Sequence, residues 1–169
     1  MYFPLLRGKQ YELVALKEFS DANPDSQLIC PIIEPVRVLP DALIRTAGVL
    51  SNNRIRYCVV LNPEKGDYAL ETNRFAIQDF LQLFQDFTIK PIPAFIADGK
   101  SASVIQMIEH NNLSEVMVIY EDTFDLENID DDALCNHSSV SYVVCGPIDS
   151  RSNKRYLMRT DKHIIRLDD

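Results

Sequence analysis

Polar and charged side chains stand at the ends of several short apolar segments of this sequence. Carboxylates in such positions can hold a divalent metal ion or act as acids and bases, and an arginine can bind an anion through two hydrogen bonds. Carboxylates beside Arg and Lys are also the residue types that metal-assisted phosphodiester chemistry uses. The candidate catalytic residues are Glu34, Asp98 and Glu121, and the candidate ligand-binding residues are Arg7, Lys9 and Asn62.

A divalent metal ion is the candidate cofactor, with Glu34 and Asp98 as candidate ligands or bases. A purely structural explanation of the same residues is also open. A strand needs polar residues to end it and to cap the next helix. Arg7 and Glu34 could simply form an ion pair, because a charge beside an apolar strand is costly to bury alone.

Seven apolar runs would position these residues, and each ends at a turn or a polar residue. They cover residues 2–6, 29–33, 57–61, 92–96, 116–120, 140–145 and 163–167. Short, nearly continuous apolar runs are typical of strands that are buried on both faces, as in a parallel sheet. The carboxyl ends of such strands are where ligands bind in parallel α/β folds.

The intervals between the runs mostly carry helical patterns. The predicted helices cover residues 10–19 and 40–50, a long segment with Ile77, Phe80, Leu81 and Phe84 on one face, residues 101–110, and a short turn at 129–134. Residues 149–162 are polar and basic and are predicted as a loop or a poor helix. On the first helix, Leu13, Val14, Leu16 and Lys17 are predicted to pack on the sheet.

The predicted fold class is α/β, with repeated βα units and a parallel TIM-barrel-like sheet of about seven strands. A closed barrel needs eight strands, so the barrel is incomplete or the chain is the N-terminal part of a longer protein. A doubly wound open sheet would also accept seven strands. We interpret residues 1–169 as a single barrel-like domain.

The composition limits the classes of function. The 169 residues carry a net charge of −8, so direct electrostatic binding of nucleic acid is not expected, although a local basic patch stays open. Three of the four cysteines, Cys30, Cys58 and Cys145, lie in apolar runs and are predicted as buried thiols, whereas Cys135 lies in a polar segment and is open to labelling. Reduced thiols and the lack of a signal peptide or an apolar run long enough for a bilayer favour the cytoplasm and no membrane contact.

The N-terminal segment resembles a known family. It reads Tyr-Phe-Pro-Leu-Leu-Arg-Gly-Lys-Gln-Tyr-Glu-Leu from Tyr2, with Ala15-Leu16 after it and Pro-Ile-Ile-Glu-Pro-Val from Pro31. This pattern is similar to that of the phage-type beta-protein family and its uncharacterised bacterial relatives. The match is close over residues 1–36 and loose beyond, with Asn62-Pro63 also fitting. The resemblance implies a barrel-like fold and, for some members, a place beside nuclease-like genes in phage-defence neighbourhoods.

Two functions are compatible with these patterns. The favoured one is a barrel-like scaffold or protein-interaction module, linked to phage defence, with a nuclease-like protein as partner. The alternative is a metal-dependent phosphodiester or phosphoryl hydrolase with its site at the strand C-termini. A homo-oligomer is expected in either case, because a sheet one strand short of closure leaves edges that invite pairing.

Overall fold

The structure is a computed structural model that describes residues 1–122, 124, 126–146 and 160–166. The chain divides into two compact units, Met1–Ile92 and Pro93–Asp169. Most of the predicted basic loop at 149–162, and Asp168 at the end of the last apolar run, lie outside the described residues.

The first unit contains three parallel strands, three α-helices and two short 3₁₀ helices, Gly66–Ala69 and Glu71–Asn73. The strands are β1 (Leu5–Leu6), β2 (Ile32–Ile33) and β3 (Cys58–Val60), and the helices are α1 (Gln10–Ala22), α2 (Asp41–Asn52) and α3 (Ile77–Gln82). In register, Leu5 lies opposite Ile32, which in turn lies opposite Cys58. The side chains of β2 and β3 are wholly buried, as the continuous apolar runs predict.

β1 and β2 are shorter than their apolar runs. Pro4 lies just before β1, and Pro31 and Pro35 flank β2, and a proline has no N–H to donate to a neighbouring strand. The carbonyl groups of Pro4 and Pro31 still accept hydrogen bonds from the neighbouring strand. Ile32 N donates to Pro4 O (2.9 Å) and Cys58 N donates to Pro31 O (2.8 Å). The prolines therefore shorten the regular ladder without separating the strands.

α3 is much shorter than the long helix that the apolar pattern predicts. After Gln82 the chain continues in tighter turns, in which Phe84 N donates to Leu81 O and Phe87 N donates to Phe84 O, both at 3.1 Å. The rings of Phe80, Phe84 and Phe87 pack edge to face in succession. The distance between ring centroids is 5.5 Å for the first pair and 5.9 Å for the second. The predicted apolar face is therefore present, but beyond Gln82 its aromatic side chains are carried by a series of i→i+3 turns and not by a continuous α-helix.

The second unit repeats the same pattern. Its elements are β4 (Ile92–Ile96), α4 (Ser101–His110), β5 (Val116–Tyr120), α5 (Ile129–Cys135), β6 (Val140–Cys145) and β7 (His163–Arg166). β5 pairs with β4 and with β6, and β7 pairs with β6, all in parallel. The side chain of Asn128 begins α5 by accepting hydrogen bonds from Asp130 N (2.9 Å) and Asp131 N (3.4 Å).

The fold class is therefore α/β with repeated βα units, and the prediction of parallel strands is confirmed for every pairing that the described residues make. Within each unit the strands lie in chain order. This order is that of a TIM-barrel-like sheet, whereas a doubly wound sheet reverses its order at a switch point. The described residues make seven strands, whereas a complete barrel has eight.

Two simpler predictions can also be compared with the structure. All four cysteines are thiols and all are buried, including Cys135, for which the polar sequence around it left labelling open. Cys135 closes a helix whose Leu134 is fully buried as well, so tertiary packing covers it. In the part of the chain that the structure describes, no helix has the length and apolar character needed to cross a bilayer.

Candidate functional site

The ion pair between Arg7 and Glu34 anchors the candidate site in the first unit. Arg7 directly follows β1 and Glu34 directly follows β2, and because the two strands are parallel neighbours, their ends lie side by side. The guanidinium Nη1 of Arg7 donates to Oε2 of Glu34. The Glu34 side chain has no exposed surface, whereas 29% of the Arg7 side chain is exposed. The carboxylate therefore holds an arginine that still reaches solvent.

A glycine makes this pairing sterically feasible. Gly8 has φ +61°, and a Cβ added to it would lie 2.9 Å from the carbonyl oxygen of Glu34. Only a residue without a side chain can bring the turn after β1 so close to the end of β2 in this backbone conformation. The turn leads into α1, whose first turn is supported by a hydrogen bond from Lys9 N to Glu12 Oε2 (2.9 Å).

Beside Arg7 lies a cleft with a volume of about 1040 Å³. It lies between the turn after β1, one face of α1, the start of α2 and the segments that follow β2 and β3. Among the described residues that line it, six are cationic and one is a carboxylate. The cations are Arg7, Lys9, Lys17, Arg37, Arg45 and Lys65, and the carboxylate is Asp67.

The charge of this cleft is opposite to that of the chain. The whole protein carries −8, yet the cleft gathers six positive side chains, and Asp67 is itself within 3.7 Å of Arg37. At physiological salt, exposed charges further apart than about 8 Å are largely screened from one another. A ligand in the cleft would therefore experience mainly the local cations.

Lys17 reaches the cleft because of helix geometry. Gln10, Leu13, Val14 and Lys17 all line the cleft, and their spacing of three, four and seven residues places them on one face of α1. The prediction that Leu13 and Leu16 pack inward is confirmed, since both are buried. The prediction was wrong for Val14, which is 44% exposed. Lys17 is half-buried and lines the cleft.

The segment after β3 forms a second wall and is held by three contacts. Asp67 N donates to Val36 O (2.9 Å), and the hydroxyl of the buried Tyr68 donates to Arg37 O (2.9 Å). Burial, with the charge of Asp67 in second place, raises the pKa of Tyr68, so its hydroxyl stays a donor. Gly66 approaches Val36 so closely that an added Cβ would lie 2.4 Å from Val36 O. These contacts fix Lys65 and Asp67 at the cleft.

The candidate residues of the second unit form a separate hydrogen-bonded arrangement. Asp98 follows β4, and its two carboxylate oxygens accept hydrogen bonds from Glu121 N (3.0 Å) and Asp122 N (3.1 Å), which follow β5. The ends of two neighbouring parallel strands are thus joined through one side chain. Two backbone N–H groups that donate to one carboxylate fix the turn after β5 beside the end of β4.

The six predicted site residues therefore have different surroundings. Arg7 and Lys9 line the cleft, and Glu34 lies buried beneath Arg7, where its Oε1 also accepts from Glu64 N at 3.4 Å. Asn62 follows β3 in the chain, is half-buried and is not among the described residues that line the cleft. Asp98 and Glu121 are joined to each other in the second unit.

Four cleft cations were missed from the sequence: Lys17, Arg37, Arg45 and Lys65. They lie on two helices and in two loops, at positions that the search for polar residues directly after strands does not reach. Only Lys17 could have been identified from the sequence, because helical spacing places it on the same face of α1 as Leu13. Nothing in the spacing of Arg45 relative to Lys65 indicates that α2 and the later loop meet at one cleft.

A buried polar cluster occupies the second unit near the start of α4. Ser101 Oγ donates to Asp131 Oδ1 (2.5 Å) and lies 3.2 Å from the hydroxyl of Tyr120, which accepts from Cys135 Sγ at 3.7 Å. Burial raises the pKa of the Cys135 thiol to about 12 and also raises the pKa of Tyr120. Both groups are therefore protonated at neutral pH and act as hydrogen-bonding core groups.

Metal ligands are the remaining feature of the predicted chemistry. Over the described ranges, which omit residues 147–159 and 167–169 among others, no group of three or more His, Cys, Asp or Glu side chains could hold a metal ion.

Comparison of the chain with protein-family models, with curated proteins and with solved structures finds no match. The resemblance to the phage-type beta-protein family stays a prediction that rests on residues 1–36.

Proposed function

We propose that this protein is a barrel-like binding scaffold whose first unit captures a phosphate-bearing ligand in the cationic cleft. The observation that carries the proposal is the composition of the cleft lining, six cations against one carboxylate in a chain of net charge −8. Lys and Arg side chains are the usual partners of phosphate, and the partly exposed Arg7 is already held in place by Glu34.

The net charge argues for a small ligand. A long nucleic acid would extend beyond the cleft over a surface whose overall charge repels it, whereas a small anion stays within reach of the cleft cations. The cleft volume of about 1040 Å³ is also close to the upper limit for small-molecule sites, about 1000 Å³.

The other functions that the sequence suggests remain predictions. A nuclease-like protein partner and a link to phage defence rest on the resemblance of the N-terminal segment. A homo-oligomer rests on the open sheet edges. The hydrolase alternative requires a metal ion and a water to be brought to the phosphate ester. Glu34, its first candidate base, is a buried partner of Arg7, so the binding function is the one that we favour.

The test is ligand-dependent stabilisation of the full chain. Inorganic phosphate and pyrophosphate, compared with chloride at equal ionic strength, should raise the unfolding temperature, because binding to the folded state alone contributes about 2.7 kcal/mol at a hundredfold excess over Kd. Arg45→Glu, which places a carboxylate in the cleft lining, should remove the effect, whereas Lys90→Glu, outside it, should retain it. Equal unfolding temperatures in phosphate and chloride would contradict the proposal.

A further inference from the structure

An exposed isoleucine stands among exposed carboxylates at the start of α5. Ile129 is 83% exposed, and the acidic residues around it, Glu127, Asp130 and Asp132, are exposed as well. We call these four residues the acidic knob. No Lys or Arg occurs in the sequence between residues 100 and 151, so no cation near the knob in the chain offsets its charge.

Contacts on its inner side hold the acidic knob in one conformation. The side chain of Asn128 accepts hydrogen bonds from the backbone N of Asp130 and of Asp131. The carboxylate of Asp131 turns inward and accepts from Ser101 Oγ (2.5 Å), and Leu134 is buried behind it. A surface that is already ordered loses less conformational freedom when it binds. The knob is therefore preformed for docking.

The cationic cleft of the first unit has the complementary composition. The apolar surface most open to a partner belongs to Val14 and Ala42, which are both exposed, whereas Leu13 is buried. Among the described residues, neither Lys17 nor Arg45 forms an ion pair. An apolar patch among cations in the cleft thus matches an isoleucine among carboxylates in the knob. The other cations of the lining are Arg7, Lys9, Arg37 and Lys65.

We propose that the acidic knob of one chain docks into the cationic cleft of a second copy of the chain. Ile129 covers Val14 and Ala42, and the knob carboxylates lie among the cleft cations. Because the two surfaces differ, each pairing leaves an unused cleft on one chain and an unused knob on the other. This inference rests on the proposed function, in which the cleft takes up anions, and adds that a phosphate-bearing ligand and a second copy compete for it.

The charge distribution of the chain favours a second copy as the partner. The cleft lining carries +5, from six cations and one carboxylate, so the rest of the chain carries −13. Two chains of net charge −8 repel at long range, but at physiological salt this repulsion is screened beyond about 8 Å, whereas the knob and the cleft meet in direct contact. The knob is one end of a seven-residue helix, smaller than the interfaces of about 1200 Å² or more that stable complexes bury, so the association is weak and concentration-dependent.

Sedimentation velocity of the full chain over a wide range of concentrations tests the self-association. In a buffer of low ionic strength without phosphate, the average mass should rise with the concentration of the chain. Pyrophosphate should lower the average mass at a fixed chain concentration. Chloride at equal ionic strength should lower it less, since chloride only screens the charges whereas pyrophosphate also occupies the cleft.

Two variants identify the surfaces that meet. Arg45→Glu places a carboxylate in the cleft and Ile129→Lys places a cation in the knob, and both residues are exposed, so the fold should persist. Each variant alone should stay monomeric. An equimolar mixture should form a one-to-one complex and grow no further, because the intact knob of the first variant meets the intact cleft of the second. The matched control Leu28→Lys changes another exposed apolar residue, outside both surfaces, and should associate as the parent does.

The outcomes separate this inference from the proposed function. If the chain stays monomeric while phosphate still raises its unfolding temperature, the docking inference is wrong and the proposed function stands. If each variant associates as the parent does, or if their mixture forms no complex, the knob and the cleft do not meet, and the docking inference is again wrong. If the mixture forms the complex while phosphate and pyrophosphate have no effect on the unfolding temperature, the docking stands and the proposed function is wrong.

Discussion

At the residue scale, the Arg7–Glu34 pair carries the clearest energetic consequence. Glu34 is fully buried, and its carboxylate depends on Arg7 for charge compensation. Arg7→Ala should lower the free energy of unfolding by about 3–5 kcal/mol, since it leaves an uncompensated charge in the interior. Urea denaturation measures this loss, and Lys90→Ala should stay within about 0.5 kcal/mol of the parent.

A double replacement separates loss of the pair from loss of packing. Arg7→Met combined with Glu34→Leu removes both charges and keeps apolar volume, so it should recover most of the stability that Arg7→Ala loses. It should not recover phosphate binding, because the cleft has lost a cation. If Arg7→Ala unfolds at the same urea concentration as the parent, Glu34 is not dependent on Arg7, and the pair does not stabilise the site.

At the scale of elements, Gly66, which begins the first 3₁₀ helix after β3, decides whether the cleft wall forms. Gly66 and Gly99 have nearly the same backbone, with φ of +64° and +63°, but an added Cβ meets Val36 O at 2.4 Å in the first case and nothing within 4 Å in the second. Gly99→Ala should therefore cost only the left-handed backbone strain, about 1–2 kcal/mol. Gly66→Ala should cost about 1–3 kcal/mol more, because the loop must move.

The same pair of variants reports on ligand binding. Gly66→Ala displaces the neighbours Lys65 and Asp67 at the cleft, so it should weaken phosphate binding, whereas Gly99→Ala, in the second unit, should not. Thermal unfolding with and without phosphate measures both effects in one experiment. Equal losses of stability in the two variants would mean that the contact between Gly66 and Val36 does not hold the wall.

At the scale of the whole molecule, the buried thiols should make the folded protein less stable at alkaline pH. Burial raises the pKa of Cys135 to about 12 and that of Cys145 to about 11, from 9.0 in the unfolded chain. Above pH 9 the unfolded state releases these protons while the folded state keeps them. The free energy of unfolding therefore falls as pH rises from 9 towards 11 and 12, by up to about 1.4 kcal/mol per pH unit for each thiol.

Urea denaturation between pH 8 and 10 checks this slope. Below pH 10 the slope reports mainly on the thiols. The tyrosines whose pKa is raised by folding have a pKa of 10.0 in the unfolded chain, so they release few protons at these pH values. Cys145→Ala should make the slope shallower by removing one of the titrating groups. Stability that stays constant from pH 8 to pH 10 would show that the thiols are accessible to ionisation in the folded protein.

The elements show how far sequence reasoning reaches. Every apolar run contains a strand or part of one, and the parallel pairing follows from burial on both faces, which β2 and β3 show directly. The length of α3 could not be predicted, because the same apolar spacing serves a helix or a series of tighter turns. The exposure of Cys135 could not be predicted either, since it depends on what packs over α5.

By itself the sequence determined the repeated βα pattern, the parallel strands and the neighbouring positions of Arg7 and Glu34. These follow from local periodicity and from the rule that adjacent parallel strands end at one edge. Only the tertiary structure decided that Lys17, Arg45 and Lys65 meet Arg7 at one cleft. Their convergence depends on how two helices and a loop pack, which is a property of distant contacts and leaves no local signal in the order of the residues.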